Sequence, residues 1–395
     1  MINITDKHKC CGCAACAQRC PKQCIVMQED DEGFLYPVVN RAACIDCRLC
    51  EKVCPMLRSL RQKPANEVLA IKNRNTADRM DSSSGGVFIA LAQRTVATGG
   101  AVFGAVYDGK WEVAHSMADT PGGIRPMMGS KYMQSRTGDS FSHAERLLKS
   151  GRDVLFSGTP CQIAGLHAFL QKDYSNLLSV DIACHGVPSV KVWRKYIEET
   201  FLRQDASTEI TYVNFRDKQK EGWRRYNVVI KGRRNAGSTN ETELSASVYV
   251  DNPFMRGFMS DVYLRPACHR CLFKCGACGS DLTIADYWGV DLLMPDFADD
   301  KGVSLVIVNS DKGRKALNGL DTDVRQTTLD GVERHNGGFT SAPPEKPLRH
   351  RFFADIDSGT SFDDALGRAL HVPACVTAAK NLRKVIKNTI KKLTK

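Results

Sequence analysis

Apolar residues come in short runs separated by polar turns through most of this chain, and their spacing switches repeatedly between that of a strand and that of a helix. Val68-Leu69-Ala70-Ile71 reads as a strand. The run Asp81-Ser82-Ser83-Ser84-Gly85-Gly86 then leads into an apolar helix, Val87–Ala97, stopped by Gly99-Gly100, and Ala101–Tyr107 reads as the next strand. A second unit of this kind has a strand over 153–158, Thr159 as N-cap, Pro160 at the first helical position and a helix to Leu170. Residues 177–183 are again strand-like, and Pro188 opens a long helix through Phe201. Such alternation predicts an α/β core. From 210 to 250 strand-like runs dominate, which makes the core mixed α+β with a sheet that is not purely parallel. The polar stretch 58–66 predicts a linker, giving expected domains of 1–62, a core in two parts over 66–145 and 146–340, and a tail over 341–395.

At 395 residues the chain has room for two or three domains, and its composition is that of an ordinary globular protein. Its 17 cysteines would suggest disulfides in a secreted chain, but Met1-Ile2-Asn3-Ile4-Thr5-Asp6-Lys7 holds no apolar signal-peptide core. No apolar run reaches the roughly 18 to 20 residues of a membrane span. The expectation is a cytoplasmic, reducing compartment in which thiolates are kept for metal. The net charge of +11 is uneven: residues 380–395 hold seven Lys or Arg and no acid, which leaves +4 for the rest. Leu382, Val385, Ile386, Ile390 and Leu393 fall on one side of that segment and predict a basic amphipathic helix. It suits peripheral contact with an anionic membrane, docking of an acidic partner such as a ferredoxin, or plain solvation. Nucleic acid is not expected, because the basic run lacks interleaved aromatics.

Chemistry concentrates in the cysteines. Cys10, Cys13, Cys16 and Cys20 precede Pro21, and Cys44, Cys47, Cys50 and Cys54 precede Pro55, so one C-x2-C-x2-C-x3-C-P ladder occurs twice with an offset of 34 residues. In this pattern the first three thiolates of each ladder hold one 4Fe-4S cluster and the fourth reaches to the other. Cys10, Cys13, Cys16 and Cys54 are then one set, and Cys20, Cys44, Cys47 and Cys50 the second. Structural zinc takes four ligands from widely spaced CxxC pairs and fits eight regular cysteines poorly. The ladders therefore predict a small bacterial-type ferredoxin domain, with Glu32-Gly33-Phe34-Leu35-Tyr36-Pro37 in a hairpin between its halves.

Further motifs lie in the core. The serine-glycine turn before Val87 suits a phosphate at a helix N-terminus, and equally serves as an ordinary helix start. Gly129-Ser130-Lys131-Tyr132-Met133-Gln134-Ser135 gathers a cation, a ring and polar donors of the kind that hold a flavin, although a plain polar loop would read the same. Cys161 falls at the second position of a capped helix, where the dipole lowers a thiol pKa, and could act as nucleophile or cluster ligand. Cys184 ends a strand before His185-Gly186. Cys268, Cys271, Cys275 and Cys278 crowd four thiols into eleven residues, a density that calls for metal or redox chemistry.

Taken together, Ser84-Gly85-Gly86, the 129–135 segment, Gly158-Thr159-Pro160-Cys161-Gln162, Cys184-His185-Gly186, and Cys268 and Cys271 followed by Asp281-Leu282-Thr283-Ile284-Ala285-Asp286 resemble the coenzyme F420 hydrogenase/dehydrogenase beta-subunit family, here with a fused two-cluster ferredoxin domain. The likeness spans roughly residues 1–340. It implies an iron-sulfur flavoprotein passing electrons between one-electron clusters and a hydride carrier, coenzyme F420 or another small molecule, through FAD. It implies flavin contacts from Ser83, Ser84, Gly85, Gly86, Lys131, Gln134, Ser135 and Thr159, and a third 4Fe-4S cluster on Cys161, Cys184, Cys268 and Cys271. Cys275 and Cys278 depart from the family pattern and leave Cys268, Cys271, Cys275 and Cys278 as a second possible set. Cys11, Cys24 and Cys375 are surplus, and His185 is the candidate for proton delivery. The expected activity is a ferredoxin-linked, FAD-dependent reductase or dehydrogenase. The alternatives are a non-catalytic electron-carrying subunit serving a separate catalytic partner, and a thiol-disulfide reductase using Cys161 or the Cys275 and Cys278 pair.

Overall fold

The computed structural model describes residues 1–58, 67–234, 239–330 and 333–371, so the expected basic helix over 380–395 and Cys375 lie outside the described residues. Near the start, β1 (Ile25–Glu29) and β2 (Leu35–Val39) pair antiparallel as the predicted hairpin. Asp30 shapes its turn by accepting from the Glu32 and Phe34 amides. Gly33, at φ +81, packs so closely that a Cβ would stand 2.5 Å from the Lys191 Cβ, an approach only glycine permits. The hairpin is thereby fixed to the core: Phe34 and Tyr36 enter an aromatic cluster with Trp193, Phe254 and Tyr263, and buried Arg349 grips the Glu32 carboxylate.

The core follows in the order β3 (Glu67–Asn73), α1 (Val87–Ala97), β4 (Ala101–Tyr107), β5 (Val113–Ala118), α2 (Ser140–Lys149), β6 (Val154–Gly158), α3 (Pro160–Leu170), β7 (Leu177–Ile182), α4 (Val190–Ile197), β8 (Glu209–Asp217), β9 (Asn227–Arg233), β10 (Thr242–Val248), β11 (Leu282–Asp286), β12 (Ser304–Val308) and β13 (Thr322–Thr327). Eight strands make one mixed sheet in the order β13-β3-β12-β11-β7-β6-β4-β5. Its centre, β4, β6, β7 and β11, is parallel, and the outer pairs are antiparallel. β8, β9 and β10 form a separate antiparallel sheet. Successive residues of a strand face opposite ways. Phe103 and Phe156 accordingly meet Phe141 of α2 and Ile163 and Phe169 of α3, while Val102 and Leu155 meet Val87, Ile89 and Leu91 of α1.

The helices expected at 87–97 and 160–170 form with those limits. The helix expected from 188 to 201 differs. It starts after Ser189, whose hydroxyl accepts from the Val192 amide, and passes at Glu198 into a wider π-helical turn that ends at Leu202. That turn keeps Phe201 in the aromatic cluster while Glu199 pairs with Lys195 and Arg203. Further on, α5 (Arg349–Asp357) and α6 (Phe362–Leu370) send Phe352, Phe353 and Phe362 into the same cluster. No helix among the described residues is long and apolar enough to cross a membrane.

Candidate functional site

The carboxyl ends of β6, β7 and β11 open onto a cavity of about 730 Å³, the position at which open α/β sheets receive ligands. Its walls come from the serine-glycine turn, the loop through Lys131 and the strand exits at Gly158 and Cys184. Arg216 and Tyr226 close it from the second sheet. Arg216 is 3% exposed, pairs with Asp286 at 2.8 Å, and lies 4.0 Å from the Tyr226 ring centre and 5.3 Å from that of Trp288. Trp288 in turn stacks on Trp223 at 4.7 Å, so the wall is a desolvated ladder of rings around one cation.

The anion-binding features sit at one end. α1 starts at Gly86, φ +82, with no side chain capping its first-turn amides, which leaves those donors and the helix dipole free for an anion. Ser83 Oγ accepts from the Ser130 amide at 2.6 Å and joins the two loops, whereas Ser84 Oγ donates to the Val303 carbonyl. Lys131 Nζ donates to the Met128 and Gly129 carbonyls, and burial pushes its ammonium down to about 7. His115 Nε2 lies 2.9 Å from the Ser157 carbonyl and its Nδ1 2.6 Å from Ser135 Oγ. A carbonyl only accepts, so Nε2 carries the ring proton and the Ser135 hydroxyl donates to Nδ1. Burial pushes His115 down to about 4, which keeps the ring neutral. Ser135 therefore offers the cavity lone pairs only.

Two residues expected at the flavin do not line this cavity. Gly85 is packed beneath it, where a Cβ would stand 2.3 Å from the Ile71 carbonyl oxygen. Gln134 turns away to the cysteines, donating to the Cys11 carbonyl at 2.8 Å and accepting from Arg265 at 2.9 Å. Thr159 stands at the boundary, its amide held by Gln162 and its hydroxyl 3.2 Å from Cys161 Sγ.

Cys161, Cys184, Cys268 and Cys271 line one hollow, together with Cys11 and Arg265. Burial, then the neighbouring Cys161 and Cys271, push Cys268 up to about 12, and burial and Cys268 raise Cys184. The single-loop set does not assemble. Cys275, at φ +54, turns outward to the Thr340 carbonyl, and Cys278 is buried beside Asp181 and Ser280. The expectation that the helix dipole lowers Cys161 also fails: the Cys11 thiol first, and burial second, push it well above the ordinary thiol range.

In the N-terminal ladders, burial and then Cys10 and Cys54 push Cys16 up to about 12, and Cys13 adjoins Cys16 and Cys54. Cys20, Cys44, Cys47 and Cys50 line a separate hollow. Of the surplus thiols, Cys11 and Cys24 lie within this system, not apart from it. Cys24 Sγ is 3.4 Å from Cys20 Sγ, and Cys11 adjoins both Cys13 and Cys161. α3 comes close because Gly165 has no side chain; a Cβ there would stand 2.9 Å from Cys13 Cβ. Four thiols from three segments around one hollow, Cys161, Cys184, Cys268 and Cys271, suit a cubane. Among the described residues no three His, Cys, Asp or Glu side chains converge as a mononuclear ion requires.

His185 lines both hollows, with Nε2 2.6 Å from Asp261 Oδ1. Asp261 is buried and held at φ +62, an unusual conformation for a residue with a side chain. Asp261, His115, Arg216 and Arg265 are all missed by sequence reasoning, because their partners lie far away along the chain. The one available signal is a charge inside an apolar run, as in Val262-Tyr263-Leu264-Arg265.

Comparison with known proteins gives the following matches. Residues 151–330 match the family described as the C terminus of the coenzyme F420 hydrogenase/dehydrogenase beta subunit, and residues 9–57 match a 4Fe-4S dicluster domain. The chain is 35% identical over 52 residues to an uncharacterized ferredoxin of Methanocaldococcus jannaschii; the match covers 13% of this chain and 66% of that relative, just under two thirds of its length. A chain of the F420-reducing [NiFe] hydrogenase complex from Methanosarcina barkeri aligns at 16% identity and a TM-score of 0.44, covering 78% of this chain and 92% of that one.

Proposed function

We propose that this chain, whose residues 9–57 match a 4Fe-4S dicluster domain and whose residues 151–330 match the C terminus of the coenzyme F420 hydrogenase/dehydrogenase beta subunit, is an iron-sulfur electron-transfer protein of that family and an FAD-dependent oxidoreductase acting between its clusters and a small hydride donor or acceptor, coenzyme F420 or another organic molecule. One observation carries this reading. The large cavity and the hollow of Cys161, Cys184, Cys268 and Cys271 share a wall, Cys184-His185-Gly186-Val187. A flavin supplies the exchange between electron pairs and single electrons that clusters alone cannot make with a hydride. Ser83, Ser130 and the first amides of α1 would hold its phosphates, Lys131 would neutralise them, and Ser135 would accept a ring N–H. The Arg216, Tyr226 and Trp288 wall excludes water. His185, oriented by Asp261, would hold the exchanged proton.

In this reading the third 4Fe-4S cluster sits on Cys161, Cys184, Cys268 and Cys271, the next on Cys10, Cys13, Cys16 and Cys54, and the outermost on Cys20, Cys44, Cys47 and Cys50. The contacts of Cys11 with Cys161 and Cys13, and of Cys50 with Cys16 and Cys54, support that order. Exposed Cys47 favours electron exchange with a ferredoxin or another redox protein on the outer side. Thiolate clusters call for a reducing compartment, and we place the protein in the cytoplasm. The test is titration of anaerobically purified protein with FAD. One tight FAD per chain, with the clusters reduced when the hydride donor is added, supports the enzyme. Intact clusters with no FAD binding would leave the electron-carrying role alone.

A further inference from the structure

We propose that Arg265 is the electrostatic link between the inner N-terminal cluster and the third cluster, a positioning residue whose charge raises the reduction potentials of both. This rests on the cluster assignments of the preceding section. Arg265 is 1% exposed. Its Nε donates to the Cys10 carbonyl at 2.8 Å, Nη2 to the Leu35 carbonyl at 2.9 Å and Nη1 to Gln134 Oε1 at 2.9 Å, and Nη2 stands 3.7 Å from Cys10 Sγ. The guanidinium lies 4.4 Å from the Tyr36 ring centre. The same side chain borders the third cysteine hollow, and the Cys268 amide donates to its carbonyl. The ladder is shaped around it: Gly12, at φ +70, would place a Cβ 2.7 Å from Nη1.

No carboxylate pairs with it among the described residues, and in that it stands apart. The other buried arginines each hold an acid: Arg216 holds Asp286, Arg349 holds Glu32 and Arg79 holds Asp299. A desolvated guanidinium without a counter-charge is costly, yet the groups that interact with the Arg265 charge are the Cys10 sulfur, the Tyr36 phenol and the sulfurs of Cys11 and Cys268. A thiolate-held cubane is anionic, and its reduction adds one electron with no bond made or broken. A fixed cation in a low-dielectric setting stabilises the more negative state, so reduction becomes easier. Arg265 thus serves as shared counter-ion to two clusters and leaves the outermost one alone.

The test is a dithionite redox titration followed by electron paramagnetic resonance on the full-length, iron-loaded protein. In Arg265→Gln the reduced-to-oxidised ratio of both inner clusters at a fixed potential should fall at least tenfold, about 59 mV for a one-electron couple, while the outermost cluster moves less than about threefold. Arg265→Lys, which keeps the charge, should restore most of the shift. Unchanged inner clusters, or an equal shift of all three, would overturn the proposal. Should the glutamine variant fail to hold iron, the lysine variant decides: potentials near wild type support the charge, and a tenfold shift despite the retained charge overturns it. Wild-type protein with only two cluster signals would instead sink the underlying assignment.

Discussion

Burial of Lys131 makes the cavity's affinity for a phosphate-bearing ligand a function of pH. Its ammonium is pushed down to about 7 by desolvation, so above neutrality the free protein carries it uncharged. A bound diphosphate would supply the missing counter-charge and return its titration toward the ordinary lysine value of about 10.4. Binding above pH 7 then takes up a proton, and affinity falls as pH rises. The expected loss for FAD is about tenfold between pH 6 and 8 and about tenfold more by pH 9, each decade being about 1.4 kcal/mol. Flavin fluorescence titrations across this range read the slope. Calorimetry at pH 8 in two buffers of different ionisation heat should show uptake of about one proton. Lys218, also pushed down to about 7 by burial, donates to three backbone carbonyls behind the serine-glycine turn. Lys131→Met assigns the slope: it should weaken binding at pH 6 and flatten the profile. An affinity that varies less than about twofold from pH 6 to 9, or an unchanged slope in Lys131→Met, would refute the reasoning.

Other outcomes follow from the same geometry. Cys268→Ser should lower iron by about one cubane, roughly four irons, and leave the N-terminal pair in place, while Cys275→Ser and Cys278→Ser should keep the wild-type iron content; loss of a cubane in Cys275→Ser would restore the single-loop ligand set. Gly165→Val should drive α3 into Cys13, which already lies within contact of that position, and strip the inner cluster with far-ultraviolet circular dichroism unchanged; full iron retention would remove α3 from the account. Gly85→Ala forces a methyl against the Ile71 carbonyl and the Ser304 amide and should cost about 1–3 kcal/mol in thermal unfolding, with an unshifted Tm counting against the packing described.

Much of this protein is written locally, and the portion that is not has a common cause. The Thr159 and Pro160 helix start, the Gly99-Gly100 stop and the hairpin through Glu32-Gly33-Phe34 are signals confined to a few residues, and they form as expected. The two ladders are equally local. The third cysteine hollow draws on the exit of β6, the exit of β7 and a later loop, and its membership is set by strand order within the sheet, which no spacing encodes. Cys275 and Cys278 share a dense motif with Cys268 and Cys271, yet the backbone reversal at Cys275 takes them elsewhere. Gln134 lies one residue from Ser135, and the loop sends the two to opposite sides: one to the cavity, one to Arg265. Propensity is silent on such choices, which rest on which buried donor finds an acceptor after the sheet has closed.

The most direct measurement is the count of iron, acid-labile sulfide and flavin in chains purified without oxygen and supplied with FAD. About twelve irons, as many sulfides and one flavin per chain are expected. About eight irons with no flavin would contradict this, reducing the protein to a two-cluster carrier whose cavity serves another purpose.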